Sequence, residues 1–205
     1  MISAVFWDFG GVILTSPFDA FNRYEERHGL PIDFIRSVNA KNPDDNAWAQ
    51  LERNDIDPDE FGPMFADESE HLGHRVDGAD VLALLSGELQ PGMIVALDRV
   101  IEAGFRTACL TNNVIGGDPR PEVTGIMGKF DHIVESSKVG VRKPEPGFYE
   151  IACELVGVAP EQVVFLDDLG INLKPAKAMG MTTIKVASAD QAITDLESVL
   201  GIPLR

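Results

Sequence analysis

The chain has 205 residues, 44% hydrophobic and 24% charged, enough for one domain with a substantial core or for a core domain carrying an inserted subdomain. Its formal charge of −16 argues against nucleic acid and anionic membranes as partners, because phosphate backbones need Lys and Arg. An anionic substrate would need a local cation to overcome that average field, either a metal ion or a well-placed lysine.

The chain opens on an apolar run, Ala4–Trp7, that reads as a buried strand. It ends at a carboxylate, Asp8, followed by Phe9 and the pair Gly10-Gly11. No basic segment precedes the run, Asp8 interrupts it, and no apolar stretch approaches membrane-spanning length, so a cytoplasmic location is expected. From about Pro17 to Glu88 the pattern is charged and helical throughout: Phe18–His28, Pro31–Ala40, Ala47–Arg53, Pro58–Leu72 and Gly78–Leu85. Pro31 and Pro58 suit first-turn positions, and Gly29 and Gly73 suit C-terminal stops. Phe18, Phe21, Phe34, Trp48, Phe61 and Phe65 are expected to form the core of this block. Asp55, Asp57, Asp59 and Glu60 alternate like a calcium loop, but the loop's glycine and terminal glutamate are missing and Pro58 points to a helix start. His71 and His74 lie a turn apart with no third ligand evident, and read as a solvated helix end.

Beyond this block strands and helices alternate. Helices are expected over Met93–Ala103, Pro146–Val156, Leu173–Met179 and Ala189–Leu200. Strands are expected over Thr107–Leu110, His132–Val134, Val163–Leu166 and Thr182–Val186. Near-continuous apolar strands alternating with helices imply an α/β fold, a five-stranded parallel sheet covered on both faces with the first strand central. The core would comprise residues 1–16 and 89–205, and the helical block 17–88 would be an inserted lid. Cys109 and Cys153 sit in apolar segments and read as buried free thiols in a reducing compartment.

In an open parallel sheet, ligands gather beyond the carboxyl ends of the strands. Asp8 stands after the first strand. Thr111, Asn112 and Asn113 (LTNN) follow the second, Lys143 (VGVRKPEP) comes after the third, and Asp167, Asp168 and Asn172 (VVFLDDLGIN) follow the fourth. Taken singly these are a helix cap, turn residues and a surface lysine. Together they suit phosphoryl transfer. Clustered carboxylates repel unless a hard cation such as Mg²⁺ lies between them; beside it a carboxylate can attack phosphorus, and a lysine can offset the charge.

The order DFGGV, LTNN, RKPEP, FLDDLGIN resembles the haloacid dehalogenase-like hydrolases over the whole chain, with residues 17–88 in the place of that family's helical cap. The resemblance implies a Rossmann-like three-layer core, with Asp8 as nucleophile, Thr111 as the phosphate-binding hydroxyl with Asn112 beside it, and Lys143 as the motif lysine. It implies Mg²⁺ held by Asp8, the Gly10 carbonyl and Asp168, with Asp167 adjacent, and Asn172 where many members carry a further acid. Lys138 competes with Lys143, but Lys143-Pro144 fits the motif better. The departure is Gly10, where family phosphatases usually carry a second aspartate as general acid, a group typically worth about 10² to 10⁴ in rate. The expectation is a Mg²⁺-dependent phosphatase for a small phosphorylated metabolite with a good leaving group, such as a sugar 1-phosphate, working through an aspartyl-phosphate. Two alternatives stand: a non-catalytic binding protein on this fold, and a 2-haloacid dehalogenase. Gly10 and the intact Asp167-Asp168 pair weigh against the second.

Overall fold

The computed structural model describes residues 1–116, 118 and 120–205. Five parallel strands, β1 (Ala4–Trp7), β2 (Arg106–Thr111), β3 (His132–Glu135), β4 (Val163–Asp167) and β5 (Thr182–Lys185), form one sheet in the order β3-β2-β1-β4-β5. β1 is central, as its uninterrupted burial requires. Trp7 is in register with Cys109 of β2 and Leu166 of β4, which brings Asp8, Thr111 and Asp167 to one rim. The chain leaves β1 toward β2 on one side and later returns to β4 on the other, so that rim is the switch point where such sheets open a crevice.

Alternation along the strands divides the core. Val5, Trp7, Cys109, Val164 and Leu166 face α6 (Pro91–Glu102) and α11 (Ala189–Leu200). Ala4, Phe6, Ala108, Leu110 and Phe165 face α9 (Pro146–Val156) and α10 (Gly170–Ala178). A third apolar cluster gathers Phe21, Phe34, Ile35, Leu51, Phe61 and Phe65, with Phe18 and Trp48 against it, all between residues 18 and 85. It is built from α1 (Phe18–His28), α2 (Phe34–Asn39), α3 (Ala47–Arg53), α4 (Pro58–His71) and α5 (Gly78–Ala83). At the start of α4, Asp57 and Glu60 form a reciprocal capping box with Pro58 in the first turn, so the acidic cluster is a helix start.

The two linkers to this helical segment run side by side. Leu14 bridges Leu89, Thr15 N donates to Glu88 O at 2.8 Å, and Gln90 N donates to Ile13 O at 2.9 Å. Several boundaries differ from expectation. Thr111 and Asp167 are the last residues of their strands, α2 begins three residues after Pro31, and α10 begins at Gly170, which puts Asn172 in its first turn. Two short helices were not anticipated, α7 (Pro121–Met127) and α8 (Ser136–Val139); the second is one turn long and too brief to show a period. Cys109 and Cys153 are free and buried. Among the described residues no helix is long and apolar enough to cross a membrane.

Candidate active site

The centre of the rim is an ionic trio. Lys143 Nζ lies 2.8 Å from Asp8 Oδ1 and 2.8 Å from Asp167 Oδ2. The lysine is only 1% exposed, and its ammonium also lies 5.7 Å from the Phe165 ring. Burial pulls its pKa down, but Asp167 and Asp8 outweigh that and raise it, so it stays protonated throughout the physiological range. Lys138, the competing lysine, sits on α8 with its side chain 71% exposed and pairs with Glu135.

The two oxygens of Asp8 differ. Oδ1 accepts the Phe9 N–H at 2.6 Å as well as Lys143, while Oδ2 has no hydrogen-bond partner among the described residues. Asp167 is saturated: Oδ1 accepts Leu169 N–H at 2.8 Å, Oδ2 accepts Lys143, and the Asn172 amide donates to both at 3.1 Å. A carboxylate in place of Asn172 would face Asp167 with like charge, so the amide suits this chain. Tyr149 fixes that turn by donating its hydroxyl to Asn172 O at 2.6 Å.

Asp8, Asp167 and Asp168 each offer an oxygen within 4.8 Å of the others. Three carboxylates against one ammonium leave two negative charges uncompensated in a largely buried space. The consequence is visible in the acids: burial, then the neighbouring Asp167 charge, push Asp168 up to about 6, and burial raises Asp8 well above its ordinary value despite Lys143. A hard divalent cation fits this set, because oxygen ligands of this charge are what Mg²⁺ takes. Gly11 is part of the cradle: its φ is +77°, and a Cβ there would stand 2.3 Å from Asp168 Oδ2. Position 10 differs, since a Cβ on Gly10 would meet nothing within 4 Å.

Of the other residues expected at the site, Thr111 arrives at the rim buried, its hydroxyl making, among the described residues, only a long 3.3 Å contact to Asn112 O. Asn112 is engaged elsewhere: its Oδ1 accepts Lys143 N–H at 2.8 Å, and its Nδ2 donates to Lys143 O at 2.9 Å and to Glu52 Oε2 at 3.0 Å. Asn113 ties β2 to the start of α8 by accepting from Ser137 Oγ at 2.9 Å and donating to Glu135 at 3.0 Å. Sequence reasoning missed Glu52 altogether, since a glutamate late in a charged helix carries no signal of its own. His71 and His74 lie outside the acid cluster; His71 bonds Asp67 O and His74 packs edge-on against Phe34.

The fold places the acid trio and its buried lysine together at the rim of a Rossmann-like core. A sequence profile of the haloacid dehalogenase-like hydrolases matches residues 2–180, and the chain belongs to that family. It is 34% identical to the Mus musculus protein named bifunctional epoxide hydrolase 2, over 95% of this chain but 38% of that protein's length. It is 27% identical to a glyceraldehyde 3-phosphate phosphatase of Pyrococcus furiosus, over 83% of this chain and 72% of the relative. Among solved structures it is similar to a family enzyme of Bacteroides thetaiotaomicron crystallised with magnesium and inorganic phosphate, with a TM-score of 0.60, 20% identity and coverage of 90% and 94% of the two chains.

Proposed function

We propose that this chain is a Mg²⁺-dependent phosphatase for a small phosphorylated metabolite, working through an aspartyl-phosphate at Asp8. The observation that carries the reading is the asymmetry of Asp8: Oδ1 is held by Lys143 and Phe9 N–H, Oδ2 has no hydrogen-bond partner among the described residues, and Asp8 offers one carboxylate oxygen within 4.8 Å of Asp168. Family phosphatases among the relatives and the magnesium- and phosphate-bound structural neighbour support the same class.

Asp8, the Gly10 carbonyl and Asp168 would hold the cation, which when bound offsets the charge of the carboxylates and of the substrate phosphoryl group. Asp167, already saturated, would hold Lys143 in place and add charge without an open coordination position. In the first half-reaction Asp8 Oδ2 bonds to phosphorus and the bond to the leaving oxygen breaks, its electron pair staying with that oxygen. Lys143 steadies Asp8 and the non-bridging oxygens, and the Thr111 hydroxyl donates to one of them. In the second, water attacks phosphorus, loses a proton to solvent, and the Asp8–phosphorus bond breaks to restore the carboxylate. No side chain at position 10 protonates the leaving oxygen, which favours substrates whose leaving group needs little help, such as sugar 1-phosphates and aryl phosphates.

Gly10 also favours a second reading, a phosphoryl-ligand binder that does no chemistry. The two are separated by phosphate release from a panel of aryl, sugar 1- and simple alkyl phosphates, with Mg²⁺ and with chelator. Chelator-sensitive turnover that falls steeply as leaving-group pKa rises is expected. Binding of inorganic phosphate without turnover of any ester would establish the binder instead.

A further inference from the structure

We propose that Glu52 is a positioning residue: the seating of α3 against the sheet fixes, through Asn112 and Arg142, where Lys143 stands. The geometry is independent of the reaction; the catalytic consequence rests on the phosphatase reading above. Glu52 lies one residue before the end of α3 and is 7% exposed, an unusual place for a carboxylate. Three donors converge on it. Trp48 Nε1, on the same helix, donates to Oε1 at 2.9 Å; Asn112 Nδ2 and Arg142 Nε, from the rim loops, donate to Oε2 at 3.0 and 2.6 Å. Arg142 also donates Nη1 to Pro43 O at 3.0 Å, gripping the approach to α3.

Asn112 transmits the contact. Its amide brackets the Lys143 peptide, taking Lys143 N–H on Oδ1 and giving Nδ2–H to Lys143 O. A flip of that amide would set its NH₂ against the Lys143 N–H and its oxygen against the carbonyl. The Glu52 charge opposes the flip, because it demands a donor where Nδ2 now lies. Arg142 and Lys143 are consecutive, so one glutamate from the helical segment holds the backbone on which the site's ammonium is carried.

On its other side the helical segment is anchored by the paired linkers, where Gln90 Nε2 donates to Val12 O at 2.9 Å and to Leu14 O at 3.1 Å. Displacing α3 from the rim would break the Glu52 contacts to Asn112 and Arg142. Lys143 then keeps its aspartate partners but loses the fixed orientation of the amide that brackets its backbone. The site is complete only with α3 seated.

The test compares the wild-type chain with Glu52→Gln and Arg142→Lys, reading hydrogen exchange of the Lys143 amide by NMR and steady-state turnover of p-nitrophenyl phosphate with Mg²⁺. Gln removes the charge, keeps one acceptor oxygen and sets an NH₂ against a donor that Glu52 now accepts, so the Lys143 amide is expected to exchange about tenfold faster while the amides of β1 are unchanged. For a displaced lysine, kcat is expected to fall up to about 10²-fold, with KM changed less than kcat. The double variant Glu52→Gln/Asn112→Ala is expected to be no slower than Asn112→Ala, because both act on one path. Arg142→Lys loosens the same carboxylate from the more exposed side and carries the test if Glu52→Gln does not fold. Unchanged exchange at Lys143 in a folded variant, or additive loss in the double variant, overturns the proposal. If the wild type turns nothing over, the phosphatase reading fails and the exchange result alone decides this one.

Discussion

Lys143 Nζ and the Phe9 N–H meet on a single oxygen of Asp8, at 2.8 and 2.6 Å, so the carboxylate is oriented before any substrate arrives. The substitution Asp8→Asn preserves that orientation, since the amide oxygen can accept from both donors, but the outward group becomes an NH₂ that cannot attack phosphorus. Turnover is expected to fall by at least about 10³-fold while thermal stability holds. Full activity in the variant would remove Asp8 from the chemistry.

The two adjacent aspartates are expected to fail in opposite ways. Asp167 is fully buried and is the partner that keeps Lys143 charged, so Asp167→Ala leaves a buried ammonium with half its compensation. Breaking such a pair costs about 3–5 kcal/mol, read by denaturant unfolding. Asp168 meets Asp167 as a like charge, and Asp168→Asn is expected to hold or raise the stability of the metal-free protein while abolishing its stabilisation by Mg²⁺. Equal destabilisation by both substitutions would contradict this division of roles.

The same charge crowding sets a pH dependence. Asp168 rises from the ordinary 3.8 to about 6 on folding, so the folded chain binds that proton more tightly than the unfolded chain. Without metal, this group's contribution to stability is fully present below pH 4 and is lost as pH rises through about 6. A divalent cation replaces the proton. The rise in Tm on adding Mg²⁺ is therefore expected to be larger at pH 7.5 than at pH 5, as scanning calorimetry would read it. A rise independent of pH would mean that the ion binds elsewhere.

Position 10 offers a gain of function. A Cβ there meets nothing within 4 Å, so Gly10→Asp restores a candidate proton donor without crowding the rim. Turnover of simple alkyl phosphates is expected to rise by about 10²-fold, with little change for p-nitrophenyl phosphate, whose leaving group needs no proton. Equal effects on both esters would mean that leaving-group protonation does not limit this chain. Gly11→Ala is the matched contrast: the 2.3 Å clash with Asp168 and the positive φ predict loss of Mg²⁺ stabilisation.

The sheet was legible chiefly from β1, β2 and β4, apolar runs that lead into a polar residue, and those endings are also what place Asp8, Thr111 and Asp167 on one rim. The choice of Lys143 over Lys138 rested on the following proline; in the structure Lys143 is buried against Asp8 and Asp167, while the Lys138 side chain is exposed. Asn112 could not be read the same way. Its sequence context suggested a substrate contact, but its amide is occupied by the Lys143 peptide and by Glu52, a partner 60 residues away. Glu52 and Arg142 acquire meaning only through that long-range packing, which neither periodicity nor local motif encodes.

The central claim is that Asp8 itself carries the phosphoryl group. Acid quench of wild-type protein during turnover of p-nitrophenyl phosphate with Mg²⁺, followed by borohydride reduction and peptide mass spectrometry, tests it directly, because an acyl phosphate is reduced to the alcohol and a free carboxylate is not. The account predicts homoserine at position 8 in the wild type and none without substrate. Unmodified aspartate at position 8 in protein quenched while turning over, or reduction at a different residue, would contradict it.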